Sequence, residues 1–236
     1  MSRYVHFGSI FVTRFGTGKD LCITDCGELQ KASWIADEKK LIAADPYYLS
    51  LSPKFLAGEG LAHGKEVSMD GGRYLCRLPV IEQQKDLSLS KDYALLHRWA
   101  DSRSDHHVRF FACNPEAEYS IFAEEIYFEQ SSTCDFIAHP IPPEDWNHSF
   151  STIGFLPVLE PILSYTPSAL VGQRVVLVMP GEILRGELAE YTDYDLLLKV
   201  PSGFDSSEKF GNWGQWAGQN LILLDRSAVL NLYPQR

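Results

Sequence analysis

An α+β segment followed by a small all-β barrel is the architecture this sequence predicts, and three observations predict it. Hairpin signals in the first 80 residues give way to helix-like periodicity rather than to alternating strand–helix units. Three prolines, Pro157, Pro161 and Pro167, then fall close together; proline fixes φ and donates no hydrogen bond, so 157–168 reads as an extended connector. Beyond it, five short β-rich runs fill the chain to residue 236.

The elements follow in order. Residues 5–14 are rich in β-branched and aromatic types, and 20–24 resume that pattern after Phe15-Gly16-Thr17-Gly18-Lys19, so the two runs read as a hairpin. The Gly-Thr-Gly-Lys stretch is a turn rather than a phosphate loop. That loop needs Gly where Thr13 stands and Ser or Thr where Asp20 stands. Asp70-Gly71-Gly72 is a strong tight-turn signal between 66–69 and 73–78, with Tyr74, Cys76 and Leu78 on one face of the second strand. Ser90 is placed to cap a helix that carries Tyr93, Leu96, Trp99 and Ala100 on one side. Asn114-Pro115-Glu116 resembles a helix start, with Tyr119, Phe122 and Ile126 as its apolar stripe, although 121–128 reads equally as a strand. The C-terminal strands are expected at 174–179, 183–191, 194–200, 221–224 and 228–233, and closing them into a barrel would remove exposed edges. The domains are therefore expected at 1–163 and 167–236.

Composition narrows the function classes. The 236 residues include 21 basic and 31 acidic ones, a net charge of −10, with 45% apolar and 22% charged residues, as in ordinary globular chains. An acidic chain is a poor partner for nucleic acid or an anionic membrane. No apolar run approaches the ~18–20 residues of a membrane span, and the first residues lack the apolar core of a secretory leader. Five cysteines, an odd number without framework spacing, point to reduced thiols and a cytoplasmic location.

The last segment carries Val175-Val176-Leu177-Val178, Pro180-Gly181, Gly186-Glu187-Leu188, Tyr191-Thr192-Asp193-Tyr194, Leu196-Leu197-Leu198 and a terminal Ala228-Val229-Leu230-Asn231-Leu232-Tyr233-Pro234. It resembles the Sm-like barrel, specifically its bacterial Hfq-type version, a fold related to SH3-like barrels. That resemblance implies an RNA-binding Tyr-Lys-His run before the last strand. Here Asp225, Arg226 and Ser227 occupy those positions, so only the middle cation remains and an acid has entered. The first segment, through Gly154-Phe155-Leu156-Pro157-Val158-Leu159, resembles the C-type-lectin-like fold shared with formylglycine-generating-type enzymes, as in uncharacterised bacterial and prophage proteins. The resemblance implies a scaffold displaying variable loops, used for ligand binding more often than for chemistry, and a prophage or mobile-element setting.

Chemistry-bearing residues are few. Cys113 and Cys134 would be the redox pair of an oxidase, Cys22 and Cys26 lack the second pair that structural zinc needs, and His106, His107, Cys113 and His139 form a metal set only on paper. Glu124, Glu125 and Glu129 read as a solvated helical face. The aromatic, glycine-rich loop is the leading candidate: Phe204, Phe210, Trp213 and Trp216 either fold onto the core or form contact anchors. The expected binding residues are Phe210, Trp213, Trp216 and Arg226. The expected function is non-catalytic binding or assembly through a protein partner or self-association, with no cofactor, metal or membrane and with RNA disfavoured. The rivals are an enzyme with a pocket in the first domain and an RNA binder using Arg174, Arg185, Arg226 and Arg236.

Overall fold

The computed structural model describes residues 4–15, 18–37, 39–81, 91–101, 107–114, 121–128, 134–139, 141–202, 204, 210 and 212–235. In chain order its elements begin with β1 (Tyr4–His6), β2 (Ser9–Phe15), β3 (Gly18–Thr24), β4 (Ser33–Asp37), β5 (Lys40–Ala43), α1 (Pro53–Gly58), β6 (Lys65–Met69), β7 (Gly72–Arg77) and α2 (Tyr93–Ala100). They continue with β8 (His107–Cys113), β9 (Ile121–Phe128), β10 (Cys134–His139), β11 (Val158–Pro161), α3 (Pro167–Leu170), β12 (Arg174–Met179), β13 (Glu182–Tyr191), β14 (Asp195–Lys199), β15 (Gly214–Gly218), β16 (Leu221–Asp225) and β17 (Asn231–Pro234).

The chain is β-rich, and its strands form four sheets. One has the order β1-β4-β5-β11-β7-β6, a second β10-β9-β8, a third β15-β16-β14-β13-β12-β17, and β2 pairs with β3 alone. The 66–78 hairpin forms as the sequence predicts. Asp70 and Gly71 both take positive φ, 49° and 89°, the turn whose twist matches two antiparallel strands. Tyr74, Cys76 and Leu78 are fully buried on one face. The helix expected after Ser90 is α2, with Leu95, Leu96, Trp99 and Ala100 buried; Ser90 itself lies outside the described residues. Asp92 stands at its N-cap, yet its carboxylate turns away to other partners.

Three expectations need correction. Residues 121–128 are the central strand β9, not a helix, so Glu124 and Glu125 do not form a helical face; Glu129, Pro115 and Tyr119 lie outside the described residues. The proline connector is shorter than expected. Val158–Pro161 is a strand seated between β5 and β7, where Pro161, as its last residue, is tolerated; the exposed link is 163–166. The C-terminal segment is not a closed barrel. Its last strand returns to pair with its first, β17 with β12, but a sixth strand, β15, covers the outer edge of β16 and leaves the sheet open.

No strand of 174–234 pairs with an earlier strand among the described residues, yet the two segments share a core. Val176, Val178, Leu230 and Tyr233 belong to the same buried cluster as Trp34, Tyr74 and Phe110, and Ile183 packs against it. Tyr233 lies so close over the 70–72 turn that a Cβ on Gly72 would sit 2.7 Å from its ring. Lys39, from the β4–β5 turn, donates to the carbonyls of Ser227 and Val229 at 2.6 and 2.8 Å. A second buried cluster, with Leu177, Leu184, Leu188, Leu196, Leu198 and Leu224, fills the concave side of the C-terminal sheet.

Candidate binding site

Arg77, Asp92 and Glu160, in the interior of the first segment, are occupied by one another. Arg77, on β7, donates through Nη2 to Asp92 at 2.9 Å and through Nε to Glu160 at 2.9 Å. Asp92 also accepts from Lys40 Nζ and from the Val80 amide, both at 2.7 Å. Burial alone would raise the Asp92 and Glu160 carboxyls, but hydrogen bonds and charge from Arg77 outweigh it and hold both below the usual carboxylate range. This charge set ties α2 and β11 to β7, a structural use of the three side chains.

The thiol pair and the histidine–cysteine set that the sequence disfavours are spread along the β8–β10 sheet. Cys113 pairs with Ile121 at one end of β9 and Cys134 with Phe128 at the other, seven positions along a strand that rises about 3.4 Å per residue. The Cys113 thiol is buried and donates to the Ala62 carbonyl at 3.1 Å; burial pushes the Cys76 thiol up to about 12. Cys22, Cys26, Cys76 and Cys113 are free thiols. His107 lies at the opposite end of β8 from Cys113, and His106 is outside the described residues. Among the described residues no three His, Cys, Asp or Glu side chains are grouped to hold a metal ion.

The aromatic loop folds back on its own sheet. The Phe210 ring lies 5.5 Å from both Trp213 and Trp216, tilted to each, and Phe204 lies 6.0 Å from Trp216. Trp213 is buried in the core of the C-terminal sheet, while Phe204, Phe210 and Trp216 pack half-buried against it. Their ring area is thus largely committed within the chain. The Trp216 indole nitrogen is buried without a hydrogen-bond partner among the described residues.

Arg226 is likewise engaged. Its amide donates to the Tyr194 carbonyl at 2.8 Å and its Nη1 to the Thr192 carbonyl at 3.2 Å, with Asp193 Oδ1 3.9 Å away. These contacts bring the β13–β14 turn beside Asp225-Arg226-Ser227. Asp225 is held below the usual carboxylate range, first by its hydrogen bond from Ser227. The turn therefore gathers Asp193, Asp195 and Asp225 around one arginine, and it lifts Tyr194 into solvent at 80% exposure.

Six residues back along β13 the charge reverses. Arg174 on β12, Arg185 on β13 and Lys199 on β14 line a groove of about 370 Å³ with Gly186, Glu187, Val200, Pro201 and Gln235. The register explains the convergence: Glu187 faces Arg174 on one side and Lys199 on the other, and Arg185 shares its face two residues earlier. Sequence reasoning paired Arg174 and Arg185 but put Arg226 with them; it lies at the far end of the sheet, and Arg236 is outside the described residues. Lys199 and Tyr194 were missed. The signal for Lys199 was cross-strand register, and for Tyr194 an aromatic flanked by two acids in a tight turn.

Compared with known proteins, the chain matches no family model, no curated protein and no solved structure.

Proposed function

We propose that this chain is a non-catalytic binding and assembly protein, in which an Sm-like module at 167–236 is mounted on a C-type-lectin-like scaffold at 1–163. One observation carries the reading. The buried Arg77, Asp92 and Glu160 of the first segment are occupied by one another, whereas the C-terminal sheet presents uncompensated charge and exposed tyrosine at its surface. Two further features support the module assignments. The C-terminal strands form a meander whose last member returns to the first, as in small barrels that stay partly open. The Gly154–Leu159 stretch that carries the lectin-like resemblance bridges to Tyr47 and Phe110 and continues into the middle of the first sheet, a position suited to a scaffold.

RNA binding through the barrel is the weaker reading. Arg226 is turned onto its own backbone, and three acids surround it where phosphate would approach. No helix among the described residues is long and apolar enough to cross a membrane.

The test is sedimentation velocity of the full chain over a wide concentration range, with labelled single-stranded RNA as a second component at about 150 mM salt. The reading expects concentration-dependent self-association and no RNA binding tighter than the micromolar range. A monomer at every concentration that binds RNA submicromolarly, with Arg226→Ala abolishing the complex, overturns it in favour of RNA binding.

A further inference from the structure

We infer that copies of this chain associate head to tail, the acidic turn at 192–195 of one copy seating in the basic groove of Arg174, Arg185 and Lys199 on the next. The inference rests on the assembly reading above and names its interface.

The two surfaces are complementary in charge. The groove holds three cations against one acid, Glu187. The turn with the adjoining end of β16 holds three acids, Asp193, Asp195 and Asp225, against Arg226 and, beside Asp225, Lys39. Neither Arg174, Arg185 nor Lys199 makes an ion pair or side-chain hydrogen bond among the described residues, in a chain whose net charge is −10. Arg14, Lys31 and Lys54 also make no such contact among the described residues, but Arg174, Arg185 and Lys199 line one groove together, and the same molecule's acidic turn offers a complement in charge.

The surfaces are also complementary in chemistry. The Asp193 side chain is 95% exposed and Tyr194 80% exposed, so both are open to a partner at the hollow they line with Asp225 and Arg226. The groove is concave, and Pro201 gives it an apolar edge beside two guanidinium groups. Arginine stacks on aromatic faces and forks onto carboxylates, so one arginine can hold the Tyr194 ring while another partner takes Asp193 or Asp195.

Geometry requires a second copy. Arg185 and Tyr191 lie at separate points of one continuous strand, about 20 Å apart at the rise of a β-strand, so the turn cannot reach the groove of its own chain. A contact between two different patches is heterologous and closes into a ring or extends as a filament. Edge pairing offers no easier route. β15 covers β16 and carries an irregularity between Trp216 and Gly218, a feature that blunts edges, while β17 lies against the first segment through Asn231 and Tyr233.

The test is charge reversal read by sedimentation of the full chain at low salt. Wild type is expected to self-associate, weakening as salt rises toward 0.5 M. Arg185→Glu with Lys199→Glu, and separately Asp193→Lys with Asp195→Lys, are each expected to weaken association at least tenfold. In an equimolar mixture of the two variants the reversed groove meets the reversed turn and the native turn meets the native groove, so mixing is expected to restore association. Circular dichroism confirms that both variants fold. If wild type associates but neither variant changes it, the groove–turn contact is wrong and assembly through another surface stands. If wild type is a monomer at all concentrations, both this contact and the assembly reading fail.

Discussion

The outer face of the C-terminal sheet is divided between two fates. Val176, Val178, Ile183 and Tyr233 lie against the first segment and join its core. Arg174, Arg185, Glu187 and Lys199, on the same strands and face, look into solvent. The backbone is the same in both halves; side-chain chemistry alone decides which half docks. Apolar area leaves water where the first segment can cover it, and charge stays where nothing covers it. Binding capacity is therefore a property of the half that folding left unsatisfied.

The sharpest way to break this comparison is to give the docked half the chemistry of the free half. Val178→Asp would bury an unpaired carboxylate in the shared core and is expected to cost 4 kcal/mol or more, measured by urea unfolding (about that size for a core charge). Arg185→Asp, on the free half of the next strand, is expected to change stability by no more than about 0.5 kcal/mol. Equal effects at the two positions would mean that the docked half is not sealed.

A second prediction concerns acid. Asp92 and Glu160 have folded pKa values depressed below their unfolded ones, so their contribution is present above the usual carboxylate range and is lost as pH falls through the folded values. Stability is expected to drop as the solution is acidified below about pH 4, the unfolded carboxylate range. Arg77→Ala, which leaves Asp92 buried with less compensation, is expected to cost about 3–5 kcal/mol at neutral pH and to flatten that acid limb. An acid limb unchanged by Arg77→Ala would assign it to other groups.

How much of this was legible in the sequence varies by element, for physical reasons. The strands of the C-terminal meander were readable because their aliphatics alternate between turn residues. The near-continuous run Val175 to Met179 even carried the sign of a strand covered on both faces, although what covers its outer face is set by residues more than a hundred positions away. β15 was missed because Gly214-Gln215-Trp216-Ala217-Gly218 has little strand propensity; its pairing with β16 makes it a strand. β11 was hidden by its prolines. Of the candidate residues, Phe210, Trp213 and Trp216 were legible as a cluster but not as a core-facing one, and Arg226 as a cation but not as one hydrogen-bonded to its own turn. The groove needed the register of three strands, which no local pattern encodes.

Tyrosine footprinting tests the division of the sheet most directly, because each half carries or adjoins a reporter. Tyr233 is 3% exposed under the first segment, and burial lifts its hydroxyl to about 12; Tyr194 is 80% exposed on the acidic turn. Hydroxyl-radical labelling of the full chain, read by mass spectrometry in dilute and in concentrated low-salt protein, is expected to leave Tyr233 unmodified in both. Tyr194 is expected to label rapidly when dilute and to be protected when concentrated. Labelling of Tyr233 as fast as Tyr194, or of Tyr194 equally at both concentrations, would contradict the account.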